Sequence, residues 1–229
     1  PDKCGGTATV VFTYTSSCAP LTTTCNATFT VDNPPAVVLN CPAPKTEMAC
    51  QTQGAIDASF ASWLTTASAS GGCNGMLSNN STMAPDKCGG TATVVFTYTS
   101  SCAPLTTTCN ATFTVDPAPP VVITCPAPKT EMACQTQAAI DASFAAWKAT
   151  ATFTGGCNGM LSNSSGPAPD KCGGTTTITF TVTSTCAPIT TNCNATFTVD
   201  PAPPVVITCP APKTEPACQT QAAIDASFA

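Results

Sequence analysis

Seventeen cysteines and no histidine are the features of this chain with the most chemical consequence. Thiols pair as disulfides, ligate metals or act as nucleophiles, and their spacing separates these uses. Structural zinc sites favour C-x2-C pairs, often completed by histidine, and the chain has neither. The cysteines fall instead into sets of six, with Cys41, Cys50, Cys73, Cys88, Cys102 and Cys109 as the first full set. An even count in a small unit predicts disulfides and an oxidising compartment. Other chemistry has little to work with. The commonest general base is missing, and the serines lie in polar runs with no base nearby in sequence. The few acids, such as Glu131, Asp141, Asp170 and Asp200, show neither a hydrolase spacing nor a clustered calcium loop. The sequence therefore predicts no enzyme, no catalytic residue, no metal site and no cofactor.

The elements that position the cysteines recur along the chain. The stretch Cys172 to Cys186, CGGTTTITFTVTSTC, is matched closely at Cys4 to Cys18 and at Cys88 to Cys102, in steps of 84 residues. Pro1 to Asp32 is identical to Pro85 to Asp116, and CPAPKTE begins at Cys41, Cys125 and Cys209. A fixed period of this kind marks a tandem array. Proline runs at Asp32 to Val38, Asp116 to Val122 and Asp200 to Val206 read as stiff connectors. Cutting there predicts the C-terminal part of one unit (1–32), two whole units (33–116 and 117–200) and the N-terminal part of another (201–229). Each split end would expose strand edges and apolar faces. Either the polypeptide continues or neighbouring chains complete the unit by strand addition.

Within the opening stretch, Thr177, Thr179, Thr181 and Thr183 alternate with Ile178, Phe180 and Val182, which predicts a strand with one buried face. Ala195, Phe197 and Val199 alternate likewise, so the two runs predict a hairpin with an outer threonine face. Threonine suits an exposed sheet face, and such a face could also pack laterally, bear glycan or present a flat hydroxyl array. In contrast, Ile140, Phe144 and Trp147 have helical spacing after a potential cap at Thr136, predicting a helix over Ala138 to Lys148 with a counterpart over Ala55 to Leu64.

These placements suggest a disulfide set, although six cysteines allow fifteen connectivities per unit. Hairpin staples would join Cys18 to Cys25, Cys102 to Cys109 and Cys186 to Cys193. Bridges around the helix would join Cys50 to Cys73 and Cys134 to Cys157. The remainder would join Cys41 to Cys88 and Cys125 to Cys172, leaving Cys4, Cys209 and Cys218 without partners.

The order PPVVITCP, FAAW, GGCNG, APDKCGG and CNATFTV resembles the immunoglobulin-like, hyalin-repeat-related (HYR-like) modules of secreted and surface proteins of Bacteroidota-type bacteria. That resemblance covers the whole chain. It implies a mainly β fold of tandem antiparallel β-sandwich repeats, export through the type IX route, and a place in adhesins or surface fibres. The helix and the extra cysteines depart from ordinary members. The family brings no catalytic residue to carry over.

Only 8% of residues are charged and the formal net charge is −5, so there is no basic stripe for nucleic acid and no cationic face for a membrane. Asn26, Asn79, Asn80, Asn110, Asn163 and Asn194 match the N-glycosylation pattern. Two functions fit: an extracellular, cell-surface stalk or filament packing against copies of itself, or an array of glycan- or surface-binding modules acting by avidity. The differences between repeats scatter without gathering aromatics or charges at one place, which favours the first.

Overall fold

The computed structural model describes residues 1–228. The chain begins with a hairpin of β1 (Gly6–Thr15) and β2 (Thr22–Val31). There follow β3 (Val38–Asn40), β4 (Lys45–Glu47), α1 (Gln53–Leu64), β5 (Ser68–Ser70), β6 (Met76–Asn79), β7 (Gly90–Thr99) and β8 (Thr106–Val115). A second run of the same kind comprises β9 (Val122–Thr124), β10 (Lys129–Glu131), α2 (Gln137–Lys148), β11 (Thr152–Thr154), β12 (Met160–Asn163), β13 (Gly174–Thr183) and β14 (Thr190–Val199). The last described element is α3 (Gln221–Phe228).

The long hairpins form because apolar and hydroxyl residues alternate with the period of a strand. Ile178, Phe180 and Val182 of β13 and Ala195, Phe197 and Val199 of β14 are buried, while the threonines between them face outward. Cross-strand threonine pairs line that outer face, with hydroxyls of Thr91 and Thr114 3.1 Å apart and those of Thr175 and Thr198 3.0 Å apart. The helices stand at the predicted places. Thr136 Oγ1 accepts from the Ala139 N–H at 3.2 Å and caps α2, as Thr52 does for α1.

Each whole hairpin becomes a four-stranded sheet, ordered β4-β8-β7-β6 in one case and β10-β14-β13-β12 in the other. The outer strand β4 runs parallel to β8, with Lys45 opposite Phe113, and β10 meets β14 in the same way. These sheets are therefore mixed rather than wholly antiparallel. The layer opposite each is a helix beside a two-stranded pair, β3 with β5 or β9 with β11, where the sequence predicts a sandwich of two sheets. Ile56, Phe60 and Trp63 of α1 meet Val94, Phe96, Ala111, Phe113 and Val115 in one core, and Ile140, Phe144 and Trp147 of α2 build the other. Phe113 lies edge-on to Phe60 at 5.2 Å between centroids, and Phe197 meets Phe144 at the same distance. Trp63 Nε1 donates to the Ala43 carbonyl at 2.8 Å and Trp147 Nε1 to that of Ala127. Both rings are thus packed as core residues.

The β1–β2 hairpin has no such cover. Phe29 is 65% exposed where Phe113 is 0% exposed, and Val10, Phe12 and Tyr14 are likewise open. At the other end α3 has no buried residue.

Candidate functional site, a ladder of disulfides

Each long hairpin has a foot, where β7 or β13 begins, and a tip, where the strands turn. Cys88 lies at a foot, held by its N–H donating to Asp86 Oδ1 at 2.8 Å. Cys50 joins it there, since the Cys50 N–H donates to the Lys87 carbonyl. Cys102 lies in a tip loop, its N–H donating to Ser100 Oγ, and Cys73 is beside it because the Cys73 carbonyl accepts from the Ser101 N–H. The loop carrying Cys73 approaches closely enough that Gly72, at φ +67, has no room for a Cβ: that atom would fall 2.5 Å from Ser100 Oγ.

Five disulfides form, with Cα separations of 4.9 to 6.1 Å. Cys41–Cys109 and Cys125–Cys193 lie inside one sheet-and-helix unit, joining the entry strand to the inward face of the hairpin. The other three cross between units. Cys4–Cys102 and Cys88–Cys186 each tie the foot of one hairpin to the tip of the next, and Cys50–Cys157 runs the same way. Consecutive whole units are thus joined twice, always foot to tip.

None of the pairs expected from spacing is formed, and the geometry explains each failure. Cys109 is opposite Phe96 within the strands, three residues beyond the last pair before the turn, Thr99 with Thr106. At ~3.3 Å per residue it lies about 10 Å from the loop holding Cys102, too far for the expected staple. Cys186–Cys193 fails for the same reason, and Cys18 and Cys25 of the first hairpin are free thiols. Cys50 is at a foot and Cys73 at a tip, so the 10-residue strand β7 separates them by roughly 33 Å. Cys134–Cys157 is excluded likewise, and Cys73 and Cys134 are free. Cys41 meets the strand at Cys109 instead of reaching the foot at Cys88, and Cys125 takes Cys193 instead of Cys172, which is free. Cys4, expected to lack a partner, is bonded, while Cys209 and Cys218 are free. Spacing within a unit carries no signal for bonds between units.

Sequence reasoning also missed a polar clip. Lys45 Nζ donates to Ser59 Oγ at 2.6 Å, and Ser59 Oγ donates to Glu47 Oε1 at 2.5 Å. Gln51 Nε2 donates to Glu47 Oε2 at 3.1 Å, and Lys129, Ser143, Glu131 and Gln135 repeat the arrangement. A Ser–Lys pair can serve as nucleophile and base, yet here the serine proton is committed to a carboxylate. The clip fastens β4 to α1. Its signal was present as KTE followed by a serine 14 residues after the lysine.

Hydrogen bonds from Ser59, Gln51 and Lys45 hold the Glu47 carboxyl down at about 2, and those from Ser143, Gln135 and Lys129 hold Glu131 at about 2. Because the folded value lies below the ordinary one near 4.5, the contribution to stability is present above that pH and disappears as pH falls toward 2. Solvent reaches both groups, so we expect about 1 kcal/mol from each. Urea midpoints measured between pH 5 and 2 should fall less steeply for Glu47→Gln and Glu131→Gln than for the parent chain.

The asparagines of the glycosylation pattern, Asn26, Asn79, Asn80, Asn110, Asn163 and Asn194, are all exposed. Asn80 Oδ1 is engaged by the Val95 N–H at 2.8 Å. Among the described residues no helix is long and apolar enough to cross a membrane. No family model matches the chain, and no curated protein matches it.

Proposed function

We propose that this chain is a structural repeat region of a long extracellular bacterial surface protein, forming an adhesin stalk or an extracellular filament. In this reading the beads are 84-residue, immunoglobulin-like units of the HYR-like kind, cut at the proline runs. The observation that carries it is the foot-to-tip linkage: Cys50–Cys157 and Cys88–Cys186 fasten one whole unit to the next twice and in one direction. Two covalent ties at the junction of the two whole units restrict rotation and resist extension, as a stalk or filament under load requires. The disulfides suit an oxidising environment such as the cell exterior.

The same structure favours a structural role over glycan recognition. The aromatic side chains of the two helices, Phe60, Trp63, Phe144 and Trp147, are buried and form no exposed stacking platform for sugars. The exposed sheet faces present threonine hydroxyls, which suit lateral packing against other copies. Electron microscopy of the native material tests the reading directly. Continuous fibres or stalks are expected, fraying into flexible strings after dithiothreitol. Discrete compact particles before reduction would overturn it.

A further inference from the structure

The bonded cysteines give a pulling force a shorter way through each unit than the polypeptide does. Resting on the filament reading, we propose that tension along the array runs through two parallel covalent tracks, built of disulfides and already extended backbone, so that the helix-bearing layer of each unit carries none of it.

The first track follows the bonds between units. From Cys4 it crosses to Cys102, returns along β7 to Cys88 and crosses to Cys186. Cys102 and Cys186 hold equivalent places 84 residues apart in the chain, yet on this track 14 residue steps and one bond separate them. Ten residues of that run are strand. A strand rises ~3.3 Å per residue against a limit of ~3.6 Å, so little slack remains.

The second track follows the bonds within units. It crosses from Cys41 to Cys109, runs forward through the rest of β8, the proline run and β9 to Cys125, and crosses to Cys193. Here 16 residue steps and one bond join Cys109 to Cys193, again 84 residues apart in the chain. Strand and proline-rich backbone make up this run, and both are extended conformations. Hydrogen bonds pin the connector to both units: the Asp116 N–H donates to the Glu47 carbonyl at 2.8 Å, the Ala118 N–H to that of Cys88 at 2.9 Å, and the Gly156 N–H to that of Pro119 at 2.8 Å. The two tracks are nearly equal in length and come taut together.

The covering layer lies off both. Between Cys125 and Cys172 the chain forms β10, α2, β11 and β12, and this stretch carries Ile140, Phe144 and Trp147 of the core. Without the bonds, the same tension would pass through every residue of the unit and peel α2 from the sheet.

Single-molecule pulling tests this on the 229-residue chain, with DNA handles on an azide-bearing residue at exposed Lys3 and another at exposed Ala202, and with free thiols alkylated by iodoacetamide. Between these points the polypeptide has 199 residue steps, which the first track shortens to 31 and the second to 33. At ~3.3–3.6 Å per residue, the oxidised chain should stop lengthening at about 110 Å and the dithiothreitol-reduced chain at about 700 Å. Cys88→Ser/Cys186→Ser and Cys125→Ser/Cys193→Ser should each keep that limit within about a tenth of the parent's, because the other track holds. All four replacements together should double it, since the way then runs through Cys41–Cys109 and Cys50–Cys157 over 62 residue steps. The limit reads covalent connectivity, so a variant that loses its fold still reports. Phe197→Ala, which weakens the core, should leave the oxidised trace unchanged. An unfolding step in the oxidised parent, a doubled limit in either two-residue variant, or a Phe197→Ala chain that lengthens at lower force overturns the tracks. A held limit beside native material without fibres would overturn the filament reading and leave the tracks standing; native fibres beside an oxidised chain that lengthens toward the reduced limit would do the reverse.

Discussion

Replacing both Cys41 and Cys109 with serine is expected to cost the first whole unit about 4 kcal/mol, the chain-entropy value for a loop of 68 residues. That is a large share of the ~5–15 kcal/mol that stabilises a typical domain. The bond lies inside the unit and joins the strand that enters it to the hairpin, so its loss frees the segment carrying β3, β4 and α1. The chain supplies its own probes, because its two tryptophans lie one in each core. In a Trp147→Phe background, Trp63 fluorescence should report a much lower urea midpoint for the double variant than for its parent. In a Trp63→Phe background, Trp147 should report a far smaller change. Equal shifts at both tryptophans would show that the two units unfold as one body and that the bond is not local in effect. Double replacement avoids leaving an unpaired thiol that could exchange.

What was legible in the sequence was whatever depends on neighbours along the chain. Alternation in TTTITFTVT placed β13 and its inward Ile178, Phe180 and Val182, and the spacing of Ile140, Phe144 and Trp147 placed α2. Thr136 was readable as a cap because capping is decided within one turn. The disulfides were not readable: three depend on where a hairpin's foot and tip fall against an adjoining unit, and two on which hairpin residue the entry strand meets inside its own unit. Cys88 has only glycines and polar residues beside it, and nothing there points to Cys186, 98 residues on. Parallel pairing of β4 with β8 was hidden for a related reason: KTE is a three-residue strand with no alternation to read. The polar clip was visible only as a recurring lysine, glutamate and serine, whose meaning depends on α1 folding back over β4.

The sequence CNATFTVD occurs three times, and identical residues should respond differently to the same change because their cover differs. Phe197→Ala is expected to cost about 3–5 kcal/mol, the range for truncating a buried aromatic. Phe197 is fully buried, with Phe144 5.2 Å and Trp147 5.5 Å away between ring centroids and Lys129 Nζ 5.9 Å above the ring. Removing the ring opens a cavity that α2 cannot fill without leaving its cap and the Trp147 bond to Ala127. Phe113→Ala should cost a similar amount in the first whole unit, where Phe60 and Trp63 take the corresponding places. Phe29→Ala in the monomeric chain should change stability by no more than about 0.5 kcal/mol, as expected for an exposed side chain without a packing partner. Local β propensity and cross-strand pairing are common to all three hairpins, so they would make the three losses alike. Urea unfolding of the three variants, read through Trp63 and Trp147, separates the explanations: a large loss for Phe29→Ala would place the stability of these hairpins in their strands rather than in the helix that covers them.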